Sequence, residues 1–89
     1  MKKVSKLADL PNIGKEIEDQ LKQIGIFTYD DLCRIGAEQT WLKIQAIDPS
    51  ACINKLLALE GTIQGVKKTL LAEERKLALK EFYSMHKLT

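Results

Sequence analysis

The stretch from Leu10 to Lys15, followed by a helix, constrains the fold of this chain more than any other part of the sequence. Pro11 ends a preceding helix, because it disfavours helical geometry at Leu10 and has no backbone N–H to donate. Asn12 and Gly14 are residue types that tolerate the backbone angles of tight turns. The stretch therefore predicts a helix, a tight hairpin and a second helix.

The same hairpin is a candidate site for one phosphate group. Gly14 has no side chain, so the first N–H groups of the following helix are open to an anion, and the positive end of the helix dipole lies beside them. The backbone of Ile13, Gly14 and Lys15 would hold the phosphate, while the Ile13 side chain reaches into the core. In the alternative interpretation, Asn12 to Gly14 is a turn that lets two helices pack and binds nothing.

The rest of the chain has the three-to-four-residue spacing of amphipathic helices, and no segment alternates with period two for the length of a strand. The fold class is therefore predicted as all-α, a compact single domain of five or six short helices. The predicted helices span about residues 5–10, 15–24, 28–35, 37–46, 49–64 and 71–85.

Helix ends are predicted from their residue types. Gly25 and Gly65 are expected to end helices in the left-handed conformation. Thr28 is expected to begin a helix as its cap, with Asp31 in capping-box spacing. Asp48 is predicted to cap the longest apolar helix, with the following proline at its first position.

Core residues are predicted from the same periodicity. The helix over 49–64 is apolar on more than half of its circumference and should be central. Trp41 is expected to pack in the core with its indole N–H on a backbone carbonyl. In the last helix, Ala78, Phe82 and Met85 are expected to face inward, with Leu79 and Tyr83 widening this face.

The two cysteines are predicted to be buried apolar residues in a reducing cytoplasm. Cys33 and Cys52 form no CxxC pair, and His86 is the one histidine, so no metal-ligand cluster is evident. A catalytic nucleophile would also need an adjacent base, and this histidine lies near the end of the chain. The sequence therefore predicts no enzyme activity, catalytic residue, metal, cofactor or small-molecule substrate.

Composition favours one domain in the cytoplasm. The chain has 89 residues, 45% of them hydrophobic, and a net charge of +2. No apolar run approaches the roughly 18 residues that span a membrane, and the basic N-terminus lacks the apolar stretch of a secretory signal. We expect a basic arm over 1–6, a helical domain over 7–85 and a tail over 86–89.

Two parts of the sequence resemble known protein families. The Leu-Pro-x-Ile-Gly hairpin resembles the helix-hairpin-helix elements of DNA repair and replication proteins. A longer pattern, over about residues 7–83, resembles the C-terminal domain of the TfoX/Sxy family. That pattern consists of Asn12–Gly14, Gly25–Thr28 with Asp31–Leu32, Ile35–Ala37, Leu56–Gly61 and Gly65–Val66.

The family resemblance implies a compact helical domain of helix-hairpin-helix or SAM-like character. It also implies a link to the regulation of natural competence, because some family members act with a cyclic-AMP-dependent transcription activator at promoters.

Two functions are compatible with these features. The first is a protein-interaction adaptor that binds a partner protein or a second copy of itself. Its candidate anchors are the aromatic residues Phe27, Tyr29, Trp41 and Tyr83. In the alternative interpretation all four are ordinary core residues, with Phe27 following Ile26 into the core. The second is a nucleic-acid-binding module with weak, sequence-independent affinity, about 10⁻⁴ M or poorer at physiological salt. Its candidate residues are Asn12, Ile13, Gly14 and Lys15 of the hairpin with Lys2, Lys3 and Lys6 of the arm. The near-neutral charge favours the first.

Overall fold

The computed structural model describes residues 13–87 and confirms the all-α fold class. Within this part of the chain there are five α-helices and one short 3-10 helix, and no strand. The α-helices are α1 (Lys15–Gln23), α2 (Tyr29–Ile35), α3 (Ala37–Ile47), α4 (Ile53–Gln64) and α5 (Glu73–His86), and the 3-10 helix spans Lys68–Leu70. The predicted helix over 5–10 lies outside the described residues.

Glycine ends α1 and α4 as predicted. At the end of α1, Gly25 has a φ of 88°, and the N–H of Ile26 donates to the carbonyl of Leu21 at 2.8 Å. This is a Schellman motif, in which a left-handed residue turns the chain and the two flanking apolar residues meet. Leu21 and Ile26 are both fully buried. The end of α4 repeats the arrangement at Gly65, which has a φ of 77°.

The start of α2 follows the predicted capping in part. Thr28 Oγ1 accepts from the N–H of Asp31 at 3.1 Å, as a capping box requires. The carboxylate of Asp31 accepts from the N–H of Phe27 at 3.2 Å, one residue before the position that the box predicts. This bond and the nearby Arg34 guanidinium lower the pKa of Asp31. The result is a loop before α2 that is fixed on both sides of Thr28.

The predicted start of α4 is wrong. The helix begins at Ile53 instead of Pro49, because Asp48 closes a turn instead of capping a helix. Its Oδ1 accepts from the N–H of Ser50 at 3.1 Å and from the hydroxyl of Ser50 at 2.6 Å. An Asp side chain that bonds the backbone two residues later is a common alternative to helix capping.

All five α-helices contribute buried residues to one core, and Trp41 is its largest fully buried side chain. Trp41 is fully buried, and its indole N–H donates to the carbonyl of Cys52 at 3.3 Å, as predicted. Two aromatic residues of α5 pack edge-on against it, with ring centroids at 6.3 Å for Phe82 and 5.5 Å for Tyr83. Such edge-to-face contacts add to the apolar burial of the rings.

The predicted inward face of α5 is confirmed for Leu79, Phe82 and Tyr83 and is wrong for Ala78 and Met85. Leu79 is fully buried, whereas Ala78 and Met85 are exposed. The helix is turned this way because Arg75, one turn before Leu79, forms hydrogen bonds with carboxylates of α3 and α4. Residues one turn apart share a helix face, so these bonds and the Leu79 packing select the same face.

Both cysteines are exposed, contrary to the prediction. Cys33 follows the buried Leu32 on α2 and therefore lies on the solvent side of that short helix. Cys52 lies before α4, where its backbone carbonyl, rather than its thiol, is held by Trp41.

Candidate nucleic-acid and protein-interaction surfaces

The structure describes the second part of the predicted hairpin, Ile13 and Gly14, where α1 begins without a side-chain cap. Gly14 is the N-cap residue of α1, with an extended backbone (φ −95°, ψ −178°) and no side chain to accept from the first-turn N–H groups. Among the described residues, no atom lies within 4 Å of the place that a Cβ atom would take here. Ile13 is buried in the core, as predicted. The first part of the helix-hairpin-helix element lies outside the described residues, so that element stays a prediction.

Charges around the start of α1 largely cancel. The side chain of Lys15 is 84% exposed, and its Nζ lies 4.0 Å from a carboxylate oxygen of Asp19. Glu16 and Glu18 occupy the first turn. Acidic residues stabilise a helix start by the same dipole that would attract a phosphate, so they compete with an anion for this position.

The other predicted nucleic-acid-binding residues, Asn12, Lys2, Lys3 and Lys6, lie outside the described residues. Residues 13–87 contain equal numbers of basic and acidic side chains. The whole positive balance of the chain therefore comes from residues 1–12.

The four predicted aromatic anchors differ in accessibility. Phe27 is 60% exposed and is available to a partner. Trp41 has no exposed surface, so it supports the core and does not line an interface. Tyr83 is half-buried against Trp41, and Lys87 Nζ lies 5.7 Å from the centre of the Tyr83 ring.

Tyr29 links α2 to the end of α4. Its hydroxyl donates to the carbonyl of Ile63 at 2.6 Å. A hydrogen bond with the Cys33 side chain and partial burial raise the pKa of Tyr29. The phenol therefore remains a hydrogen-bond donor at neutral pH.

A polar network beside α1 was not foreseen from the sequence. Lys55 is only 11% exposed, and its Nζ donates to Gln20 Oε1 at 2.7 Å. It also lies 3.4 Å from Asp48 and 3.8 Å from Glu16. Hydrogen bonds from Ser50 and Gln20 lower the pKa of Asp48 to about 2. The network joins α1, the turn after α3 and α4, and its lysine is satisfied by these partners.

A second network connects three helices. Arg75 of α5 donates to Glu38 of α3 at 2.9 Å and to Glu60 of α4 at 3.1 Å. Burial raises the pKa of Glu60, but the hydrogen bonds from Arg75 and Gln64 outweigh it and hold this pKa below its ordinary value. Arg75 is 37 residues from Glu38 and 15 from Glu60, so no short sequence pattern indicates that these side chains pair.

Large apolar side chains are exposed at positions that the sequence pattern did not indicate. Besides Phe27, these residues are Ile47, Leu70, Leu77 and Met85. Met85 was missed because it was predicted to face inward, whereas Leu77 was not among the residues predicted to face the core. No helix among the described residues is both long and apolar enough to cross a membrane.

Two crystal structures of Listeria monocytogenes proteins have the same fold. One, an uncharacterized protein in a triclinic form, is 41% identical to this chain with a TM-score of 0.86, over 89% of this chain and 91% of that one. The other, a protein of unknown function in a tetragonal form, is 40% identical with a TM-score of 0.87, over 89% and 98%.

The chain also resembles Protein Sxy of Escherichia coli (strain K12), with 31% identity over 77 residues. The match covers 86% of this chain and 37% of Protein Sxy, so the chain spans about a third of the length of that relative. The family model of the TfoX C-terminal domain matches residues 3–83. With nearly its whole length matched, the chain belongs to the TfoX C-terminal domain family.

Proposed function

We propose that this chain is a non-catalytic interaction module, an adaptor that contacts a protein partner in transcription or competence regulation. The observation that supports this proposal is the exposure of large apolar side chains on a domain whose described charges balance. Large exposed apolar residues favour contact with a protein, whereas nucleic-acid contact requires an excess of positive charge.

Phe27 is the best-prepared anchor of this kind. It is 60% exposed, yet its N–H is held by the carboxylate of Asp31. The next residue, Thr28, caps α2. An aromatic side chain on a fixed backbone loses little conformational entropy on binding, which favours a role as an interface anchor.

The partner class follows from family membership. Some family members that regulate natural competence act with a cyclic-AMP-dependent transcription activator, so this activator is the first candidate partner. Protein Sxy, to which the chain is similar, extends well beyond the matched region. A separate protein can therefore supply the counterpart of the part of Protein Sxy that this chain does not match.

Calorimetric titration of the chain into the purified activator with cyclic AMP tests this proposal. We expect saturable binding that Phe27→Ser weakens by about fivefold or more. Lys43→Ser is the matched control, because Lys43 is also exposed but lies on α3. Absence of binding, or equal weakening by the two variants, would contradict the proposed contact.

Weak DNA binding at the start of α1 is the second candidate function. It is favoured by the open backbone at Gly14 and the exposed Lys15 beside it. A salt-series titration of labelled duplex DNA tests it, with Lys15→Glu compared against Lys43→Glu, which makes the same change of charge elsewhere. Loss of binding in the Lys15 variant alone would support the phosphate site. Equal effects would refute it.

A further inference from the structure

The helix α2 has few contacts that hold it against the rest of the described structure. It is seven residues long, and Leu32 is its one buried residue, while Tyr29 and Ile35 are partly buried. The last helix, α5, also has one buried residue, Leu79, but Arg75 and two aromatic side chains join α5 to α3 and α4. An element with so few buried apolar contacts opens at a lower free energy than the core around it.

Glycines with positive φ lie on both sides of α2. Gly25 has a φ of 88° and Gly36 a φ of 90°. No described atom lies within 4 Å of the place that a Cβ atom would take at either glycine. Because glycine reaches more backbone conformations than other residues, the chain can change direction at these two positions with little strain. Residues at the ends of elements that absorb such changes serve as hinges in other proteins.

Among the described residues, one side-chain hydrogen bond joins α2 to another helix. The Tyr29 hydroxyl donates to the carbonyl of Ile63, near the end of α4, at 2.6 Å. The Asp31 carboxylate, in contrast, accepts from the N–H of Phe27 within the same short segment. Tyr29 and the buried Leu32 therefore provide most of the attachment of α2 to the core, whereas Phe27 is attached to α2 itself.

We propose that residues 27–35, which we call the α2 latch, open as a unit while α1, α3, α4 and α5 stay folded. Opening breaks the hydrogen bond from Tyr29 to Ile63 and withdraws Leu32 from the core. A detached helix of seven residues is too short to persist in water, so the backbone that holds Phe27 in place is lost at the same time. Closure of the latch thus fixes the residue that the proposed function uses as its anchor. This last link rests on the proposed function, and the opening itself does not.

Hydrogen exchange of backbone amides, measured by NMR on the ¹⁵N-labelled full chain in D₂O, tests the latch. The N–H of Leu32 donates to the carbonyl of Thr28, and the N–H of Gly36 donates to the carbonyl of Leu32, so both amides report on α2. After correction for intrinsic rates, we expect them to exchange about tenfold faster or more than amides in the middle of α4, because α2 opens without global unfolding.

Conservative variants separate local from global opening. Tyr29→Phe removes the hydroxyl that joins the latch to α4, so the α2 amides should exchange about fivefold faster, as expected for the loss of one hydrogen bond. Tyr83→Phe is the matched control, because it removes the same group from α5, and it should leave the α2 amides unchanged.

Leu79→Val tests the opposite case, because it removes one methylene group from a fully buried side chain outside the latch. It should speed the exchange of the α4 amides by about fivefold, since they exchange through global unfolding. The α2 amides should keep their rates, because α5 stays packed when only the latch opens. Circular dichroism confirms that each variant is folded.

Two results would overturn the proposal: α2 amides that exchange no faster than those of α4, or α2 amides that Leu79→Val speeds as much as those of α4. Either result would show that α2 opens only when the whole domain unfolds. Failure here remains distinct from failure of the adaptor role, because the exchange measurement requires no partner. An activator that binds Phe27 in its fixed position should slow the exchange of the α2 amides. A latch that opens as expected but does not respond to the activator would contradict the proposed contact and leave the latch standing.

Discussion

Trp41 is the residue on which the core depends most. It contributes a large fully buried side chain, two edge-on aromatic contacts with α5 and a hydrogen bond to the segment before α4. One side chain therefore connects α3 with both of the helices that follow it. This is the core role, with the indole N–H on a backbone carbonyl, that the sequence pattern predicted for Trp41.

Replacement of Trp41 should separate packing from hydrogen bonding. Trp41→Ala is expected to lower the free energy of unfolding by about 3–5 kcal/mol, because it leaves a large cavity. Trp41→Phe keeps most of the ring volume and should cost less. Urea denaturation followed by circular dichroism measures both values. Equal losses in the two variants would contradict the packing role.

Asp48 gives the domain a pH dependence in acid. Its pKa is lowered from 3.8 to about 2 by hydrogen bonds in the folded state. A carboxylate with a depressed folded pKa stabilises the fold above its unfolded pKa, and this contribution disappears as the pH falls through the folded value. Asp48→Asn should therefore be less stable than the parent chain at neutral pH, with the difference vanishing between about pH 4 and pH 2.

Denaturation midpoints over this pH range test the Asp48 prediction. Asp19→Asn is the control, because Asp19 is an exposed carboxylate whose nearest cation is at 4.0 Å. A stability difference between parent and Asp48→Asn that persists unchanged at pH 2 would show that the charge of Asp48 is not responsible.

At the scale of elements, the orientation of α5 determines which surface the domain presents. Leu79 faces the core and Leu77 faces solvent, although they are two residues apart on one helix. We expect Leu79→Ala to destabilise the fold by about 2–5 kcal/mol and Leu77→Ala to change stability by no more than about 0.5 kcal/mol. Chemical denaturation of both variants decides this, and a reversed order would mean that α5 packs with its other face.

The glycines at the start of α1 and at the end of α4 allow a second comparison, of the stability that each contributes. Gly65 has a φ of 77°, so an alanine there is strained by about 1–2 kcal/mol. Gly14 has an ordinary φ of −95°, and no described atom lies within 4 Å of its Cβ position. Gly14→Ala should therefore cost less than Gly65→Ala, with a loss limited to the poorer capping by alanine. Thermal unfolding of the two variants tests this difference. A large loss in Gly14→Ala would indicate that the helix start needs glycine for its fold as well as for access.

These elements show which parts of the structure the sequence could predict. Gly25 and Gly65 end their helices because the left-handed conformation is a local property of glycine, readable from the residue itself. The start of α4 was missed because Asp48 closes a local turn with Ser50 instead of capping a helix, and both uses of Asp are compatible with the sequence. The inward face of α5 and the position of the Asp48 side chain depend also on distant partners. Asp48 is held by Gln20, and Arg75 by Glu38. Such pairings across 28 and 37 residues leave no periodic pattern in the sequence.

The candidate surfaces show the same division: features set by local sequence were predictable, and features set by contacts between distant residues were not. The exposure of Lys15 and the open backbone of Gly14 were predictable, since both depend on the first turn of one helix. The exposure of Met85 was not, because it follows from the packing of the opposite face of α5. Burial of Trp41 was predicted from its helical spacing, whereas the exposure of Phe27 depends on how the helices assemble.

At the scale of the whole molecule, the domain combines balanced charge with exposed apolar side chains. The positive excess of residues 67–87 is compensated by the acidic excess of residues 13–66. A molecule of this kind has little long-range attraction for DNA, and its contacts depend on shape and apolar area. We therefore propose, as the central claim, that the chain acts at promoters through a bound protein and not through the phosphate backbone.

Fluorescence anisotropy of labelled promoter DNA tests that claim most directly. The chain is titrated into the DNA alone and into the DNA already bound by the cyclic-AMP-dependent activator. We predict no change with DNA alone and a saturable rise with the activator complex, which Phe27→Ser weakens and Lys15→Glu leaves intact. A rise with DNA alone that Lys15→Glu abolishes would contradict the claim and make the chain a phosphate-backbone binder.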